Sequence, residues 1–168
     1  MRRWLQDPRA IVEPYVTAGM KVLEPGPGMG FFTLELARLV GPTGRVIAID
    51  IQPKMLEVLA RRARKAGLAD RIEVRSATGE GLGIDGLRGA MDFALAFAMV
   101  HEAPNAEKLL REIHDALKPG AKLLLAEPKG HVSAEEFEHA LAAAKDAKFA
   151  IESRPVIRRS QAAVLVRE

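Results

Sequence analysis

The chain has no cysteine among its 168 residues, which excludes disulfides, thiolate metal ligands and any mechanism that uses a cysteine nucleophile of its own. No apolar run approaches the roughly 18 to 20 residues that span a bilayer, so a soluble protein without a membrane partner is expected. The opening MRRWLQDPRA begins with adjacent arginines but has neither an apolar stretch nor a small-residue cleavage site behind them. No secretory signal is read there, and the expected location is cytoplasmic. A large excess of one charge is missing as well: 25 Lys+Arg against 22 Asp+Glu leave a net +3. A nucleic-acid footprint gathers basic residues on one face. The densest clusters here are RRARK at 61–65 and the Arg158–Arg159 pair. They read first as solvated faces, with RNA contact as the less favoured alternative. Repeats, low-complexity segments and linkers are absent too, so residues 1–168 are expected to form a single domain.

What is present is alternation. Short apolar runs rich in β-branched residues predict strands at Lys21–Glu24, Arg45–Asp50, Ile72–Ser76, Met91–Ala96, Lys122–Glu127, Phe149–Arg154 and Ala162–Arg167. Between them, AEKLLREIHDAL puts Ala106, Leu109, Leu110, Ile113 and Leu117 on one face. SAEEFEHALAAAK does the same with Phe137, Ala140, Leu141 and Ala144. Ser133 and Glu136 have capping-box spacing, while Pro104 and Pro53 suit first helical turns. The first twenty residues predict one short helix, with Asp7-Pro8 as a turn. Strands alternating with helices imply right-handed crossovers, hence an α/β fold with a mostly parallel seven-stranded sheet and helices on both faces. The last twenty residues break the pattern and read as a C-terminal antiparallel hairpin at one edge.

The stretch LEPGPGMG, 23–30, lies where the first strand should turn into a helix. In open parallel sheets ligands bind at that edge, and the following helix presents unpaired N–H groups to them. The spacing G-x-G-x-G, with Phe at 31, departs from the dinucleotide pattern G-x-G-x-x-G, and no Gly-Lys-Ser/Thr follows to make a phosphate loop. Glycines alone could mark only a tight turn. Asp50, however, ends the second strand 20 residues after Gly30, where a carboxylate can accept hydrogen bonds from two ribose hydroxyls. Asp50 could also be an acidic cap ahead of Pro53, but that reading does not explain its placement relative to the loop.

LEPGPGMG, VIAIDIQPKMLE (46–57) and ALKPGAKLLLAEP (116–128) together resemble, in order and spacing, the motifs of class I S-adenosylmethionine-dependent methyltransferases, and the resemblance covers nearly the whole chain. It implies a Rossmann-like fold with a C-terminal antiparallel hairpin and S-adenosyl-L-methionine as cofactor. It places Glu24, Gly26, Gly28 and Gly30 around the methionine part, Asp50 at the ribose, and Ile51 with Met55 at the adenine. The family commonly has an acidic residue after strand three near the adenine amino group. Here VRSATGEGLGI has Ala77 at that place, and Thr78, Ser76 or Glu80 is expected to substitute.

Methyl transfer from a sulfonium is an in-line displacement in which the protein chiefly aligns donor and acceptor. A general base is needed only when the acceptor must lose a proton. FAMVHEAPN and AEPKGHVS should flank the methyl group and offer His101, Glu127 and His131 as catalytic candidates. The first of these segments resembles the His-containing stretch of the ubiquinone and menaquinone C-methyltransferase branch. For His101 a pocket-shaping role stands beside a catalytic one, and His131 also reads as a plain loop residue. These side chains lack a tight ligand motif such as H-E-x-x-H, so no metal is expected. The Asn/Asp-Pro-Pro-aromatic tetrapeptide of base-amino methyltransferases is missing, and the absence of cysteine sets aside cytosine C5 and arsenic methylation. The leading expectation is a small-molecule acceptor; the alternatives are RNA or protein, or a non-catalytic cofactor-binding subunit. Because little sequence is left over for a lid, a homo-oligomer or a partner subunit is a further way to close the site.

Overall fold

A computed structural model describes residues 7–78 and 80–168. Among them, five α-helices flank one seven-stranded sheet. In chain order the elements are α1 (Pro8–Val12), β1 (Lys21–Pro25), α2 (Thr33–Val40), β2 (Arg45–Asp50), α3 (Pro53–Lys65), β3 (Ile72–Ser76), β4 (Met91–Phe97), α4 (Ala106–Ala116), β5 (Leu117–Pro128), α5 (Ala134–Asp146), β6 (Phe149–Ser153) and β7 (Ser160–Arg167). The sheet order is β3-β2-β1-β4-β5-β7-β6. Strand order reverses between β1 and β4, which opens a crevice at the carboxyl ends of those strands. Only β7 runs against the rest: it pairs antiparallel with β5 on one side and with β6 on the other.

Side-chain alternation builds a core on each face of the sheet. Leu23, Ile47, Ala94, Leu123 and Leu125 point to the side covered by α4 and α5, where Leu110, Ile113, Phe137 and Leu141 meet them. Val22, Val46, Phe93, Leu95 and Leu124 point to the other side, against Val12, Leu36, Val40 and Ala63. Glu24 continues the parity of Val22, and Glu127 that of Leu125. The two carboxylates therefore project from opposite faces of the same sheet edge, one toward α2 and one toward α4.

The Ser133–Glu136 capping box forms in full, and Pro53 opens α3. Two predicted starts shift. Asp7 does not make a free-standing turn but accepts from the Arg9 N–H and caps α1, with Pro8 as its first residue. Pro104 precedes α4 rather than opening it, because the Asn105 side chain accepts the Lys108 N–H and sets the start at Ala106. Strand β5 begins earlier than its apolar run. Leu117 pairs with Met91 before an irregularity hands the ladder on to Lys122 and Phe93, with Gly120 at φ 80° inside that irregularity.

Candidate functional site

The turn after β1 is held open by its glycines. Gly26, Gly28 and Gly30 have φ of 68°, 58° and 91°, a region that side chains with a Cβ rarely adopt. A Cβ on Gly26 would come 2.7 Å from that of Met99, and one on Gly30 would strike Leu59. The loop is therefore wedged between the β4–α4 connection and α3. A Cβ on Gly28 would meet nothing within 4 Å, so this residue faces open space. From α3, the Arg62 guanidinium donates to the Met29 carbonyl at 2.7 Å. This ties one arginine of RRARK to the loop, while Arg61, Arg64 and Lys65 stay on the exposed face.

Asp50 stands across from the loop at the carboxyl end of β2. One of its oxygens accepts the Gly28 N–H at 3.3 Å and the other the Gln52 N–H at 2.9 Å. Two amides thus fix the carboxylate's orientation and leave lone pairs for a ligand's hydroxyls. The Asp50 carbonyl accepts the Ala77 N–H at 2.9 Å, which brings the start of the β3–β4 connection to the same edge. Thr78 lies there, exposed, in a two-residue bridge with Gly81. Ile51 is 59% exposed although apolar, as is Met29 at 55%; together they offer two greasy surfaces on either side of Asp50. Met55 is half-buried in the first turn of α3.

Glu24 is buried beneath the loop and takes the hydroxyl hydrogen of Thr33, at the start of α2. Burial pushes its carboxyl up to about 7, the Thr33 bond opposes this, and the Asp50 charge adds to it. Thr33 escaped the sequence reading. Its only signal was a hydroxyl residue at a helix start nine positions after a strand-end acid.

A second cluster lies at the ends of β4 and β5. Ala98 sits at φ 58°, a left-handed conformation costing a non-glycine residue roughly 1–2 kcal/mol. Its N–H still reaches the Ala126 carbonyl at 2.8 Å. This bend places Met99 against Gly26 and starts a single 3₁₀ turn, Val100–Glu102. Glu127 is buried: one of its oxygens accepts the Val100 N–H at 3.0 Å and the other bonds His101 Nδ1. Burial raises the Glu127 carboxyl above its ordinary range, opposed by His101 and the Val100 amide. The His101 and His131 rings lie nearly parallel with centroids 6.1 Å apart. The three predicted catalytic candidates are therefore neighbours. Among the described residues no group of three His, Cys, Asp or Glu side chains could hold a metal ion, and no helix is long and apolar enough to cross a membrane.

The geometry matches a known family. The profile of the methyltransferase-domain family fits residues 16–160. A crystallised SAM-dependent methyltransferase from Aquifex aeolicus superposes with a TM-score of 0.84 at 25% identity, over 96% of this chain and 90% of that one. The chain belongs to the class I S-adenosylmethionine-dependent methyltransferase family. This methyltransferase-family chain is also 34% identical over 112 residues to the ubiquinone/menaquinone biosynthesis C-methyltransferase UbiE of Pasteurella multocida. That match covers 67% of the chain and 41% of the relative, so the chain spans well under half the length of that curated relative. The same fold also appears in the [4+2]-cyclase SpnF, with a TM-score of 0.78 at 18% identity, over 96% of this chain and 80% of that one. What a methyltransferase-family chain does must therefore be argued from its site.

Proposed function

We propose that this chain binds S-adenosyl-L-methionine and transfers its methyl group to a small-molecule acceptor, as a single cytoplasmic domain. The observation that carries the reading is Asp50, aimed across the crevice by the Gly28 and Gln52 amides. An oriented carboxylate beside a glycine loop that leaves open space fits a ribose diol attached to an amino-acid tail. In this reading Gly26, Gly28 and Gly30 lie along the methionine part above Glu24. Asp50 takes the ribose hydroxyls, and exposed Ile51 with Met55 and Thr78 borders the adenine. When bound, the cofactor supplies the electrophilic methyl. The protein's share is to hold the ligand and acceptor in line and keep water out.

The small-molecule acceptor is supported by the kinship with UbiE, whose name identifies it as a C-methyltransferase of ubiquinone and menaquinone biosynthesis. Titration calorimetry with S-adenosylmethionine tests the reading, and no binding at millimolar ligand would sink it. Asp50→Ala should weaken binding by about 10- to 100-fold, the loss expected when a charged acceptor no longer meets two hydroxyls. Unchanged affinity would remove Asp50 from the ribose.

A further inference from the structure

We infer that His101 is a general base held in one tautomer by Glu127, and that the acceptor is accordingly a protic nucleophile, an acidic hydroxyl or an activated carbon acid. This rests on the methyl-transfer reading and names the substrate class for that site.

One Glu127 oxygen accepts the Val100 N–H and the other lies against His101 Nδ1; an ionised carboxylate only accepts, so it selects the tautomer with the hydrogen on Nδ1. With Nδ1 carrying the hydrogen, Nε2 keeps its lone pair. Around that imidazole stand the Glu127 carboxylate on one side, Glu102 3.8 Å from Nε2, and the His131 ring alongside. The ring is 26% exposed, whereas the Glu127 side chain is 2% exposed. The base therefore meets a ligand and its orienting carboxylate does not. Glu127 is a positioning residue. A pocket that only shaped an acceptor would not need a buried carboxylate, which is costly to desolvate, at the back of its histidine.

The location suits the step. Met99, two residues before His101, packs against Gly26 of the loop that faces the donor. As the acceptor's oxygen or carbon forms its bond to the sulfonium methyl, the S–CH₃ bond breaks and its electron pair stays on sulfur, leaving a neutral thioether. The acceptor's proton passes to His101 Nε2, Glu127 balances the imidazolium, and the proton then leaves to water. Acceptors that attack through a free lone pair, such as a neutral amine or a thioether, need none of this.

The test uses the whole chain as wild type, His101→Ala and Glu127→Gln. A glutamine has one acceptor oxygen where Glu127 has two, so it cannot serve both donors. Nitrogen-15 NMR of labelled histidine should show neutral His101 protonated at Nδ1 in the wild type and no longer so in E127Q. S-adenosylhomocysteine should bind all three proteins within about twofold, because no donor-binding residue is touched. With labelled S-adenosylmethionine, transfer should go to 1,4-dihydroxynaphthalene or 1,3-cyclohexanedione in preference to benzylamine or dimethyl sulfide. It should fall about 10²- to 10⁴-fold in H101A and about 10- to 100-fold in E127Q. Wild-type tautomer and rate in E127Q, full rate in H101A, or transfer only to the amine, only to the sulfide or to no probe would overturn the inference while leaving donor binding intact. Failure of S-adenosylhomocysteine to bind would instead overturn the methyl-transfer reading and the inference with it.

Discussion

Two buried glutamates, Glu24 at the end of β1 and Glu127 at the end of β5, stand on one sheet edge with β4 between them, and their surroundings differ. Glu127 has two protein donors, whereas Glu24 has the Thr33 hydroxyl and, nearby, the unfavourable charge of Asp50. Near neutral pH a substantial fraction of Glu24 is therefore protonated, and a cationic amino group arriving above it should drive that proton off. Affinity for S-adenosylhomocysteine is expected to rise about tenfold between pH 6 and pH 8, given a carboxyl near 7. Binding should release a proton, detectable by calorimetry in buffers of different ionisation enthalpy, and Glu24→Gln should flatten both signals. A pH-independent wild type would place the amino group elsewhere. Asp50 was legible through its strand-end position, and Glu24 through the resemblance of LEPGPGMG to the family's first motif. Met99 and Thr33 were not legible, and Arg62 was read only as part of a solvated face, because their contacts with Gly26, Glu24 and the Met29 carbonyl form only in the fold.

At the scale of elements, α5 offers a paired test. Its first turn is closed by Ser133 and Glu136, and just past its last residue Lys148 adopts φ 73°. Ser133→Ala should lower stability by about 1 kcal/mol through loss of the cap. Lys148→Gly should raise it by up to about 1 kcal/mol, because glycine relieves the left-handed strain at a helix end. Urea unfolding curves read both, and donor binding should be unaffected because α5 contributes no residue to the loop or to Asp50. The strands were legible where apolar runs end abruptly: β2 and β3 have the predicted bounds. Of β5, the apolar run Lys122–Glu127 was legible but the start at Leu117 was not, because Lys118-Pro119-Gly120 lies ahead of that run, where the ladder with β4 skips from Leu117 to Lys122. The start of α4 was misplaced for a similar reason. A proline is a permissive signal, whereas the Asn105 side chain makes the hydrogen bond that fixes the boundary.

The whole molecule should carry an unusual pH dependence. Glu24 and Glu127 have raised carboxyls, so the folded chain holds more protons than the unfolded one between their ordinary range and neutrality. Their contribution is fully present below about pH 4.5 and lost as pH rises through the folded values. For Glu24, moving from 4.5 to about 7 corresponds to on the order of 3 kcal/mol. Asp92, held down by Lys118 and the Lys21 N–H, works in the opposite sense and withdraws its support on acidification below its ordinary range. Thermal unfolding of the ligand-free chain should therefore be most stable on the acid side of neutrality, near pH 5. Glu24→Gln should shift the optimum upward, and a maximum at pH 8 in the wild type would contradict the burial of Glu24.

Because β7 alone is reversed, the 154–159 connection returns to the edge that holds the glycine loop. There the Lys129 N–H donates to the Arg159 carbonyl at 2.9 Å, and Val156 stands 94% exposed at the tip. The glycine loop and Asp50 belong to the first half of the chain, whereas this tip belongs to the last strands and abuts the segment that follows Glu127. The fold thus has a graft point: residues added at the tip would stand beside the Glu127 end of the crevice without breaking a rung of the sheet.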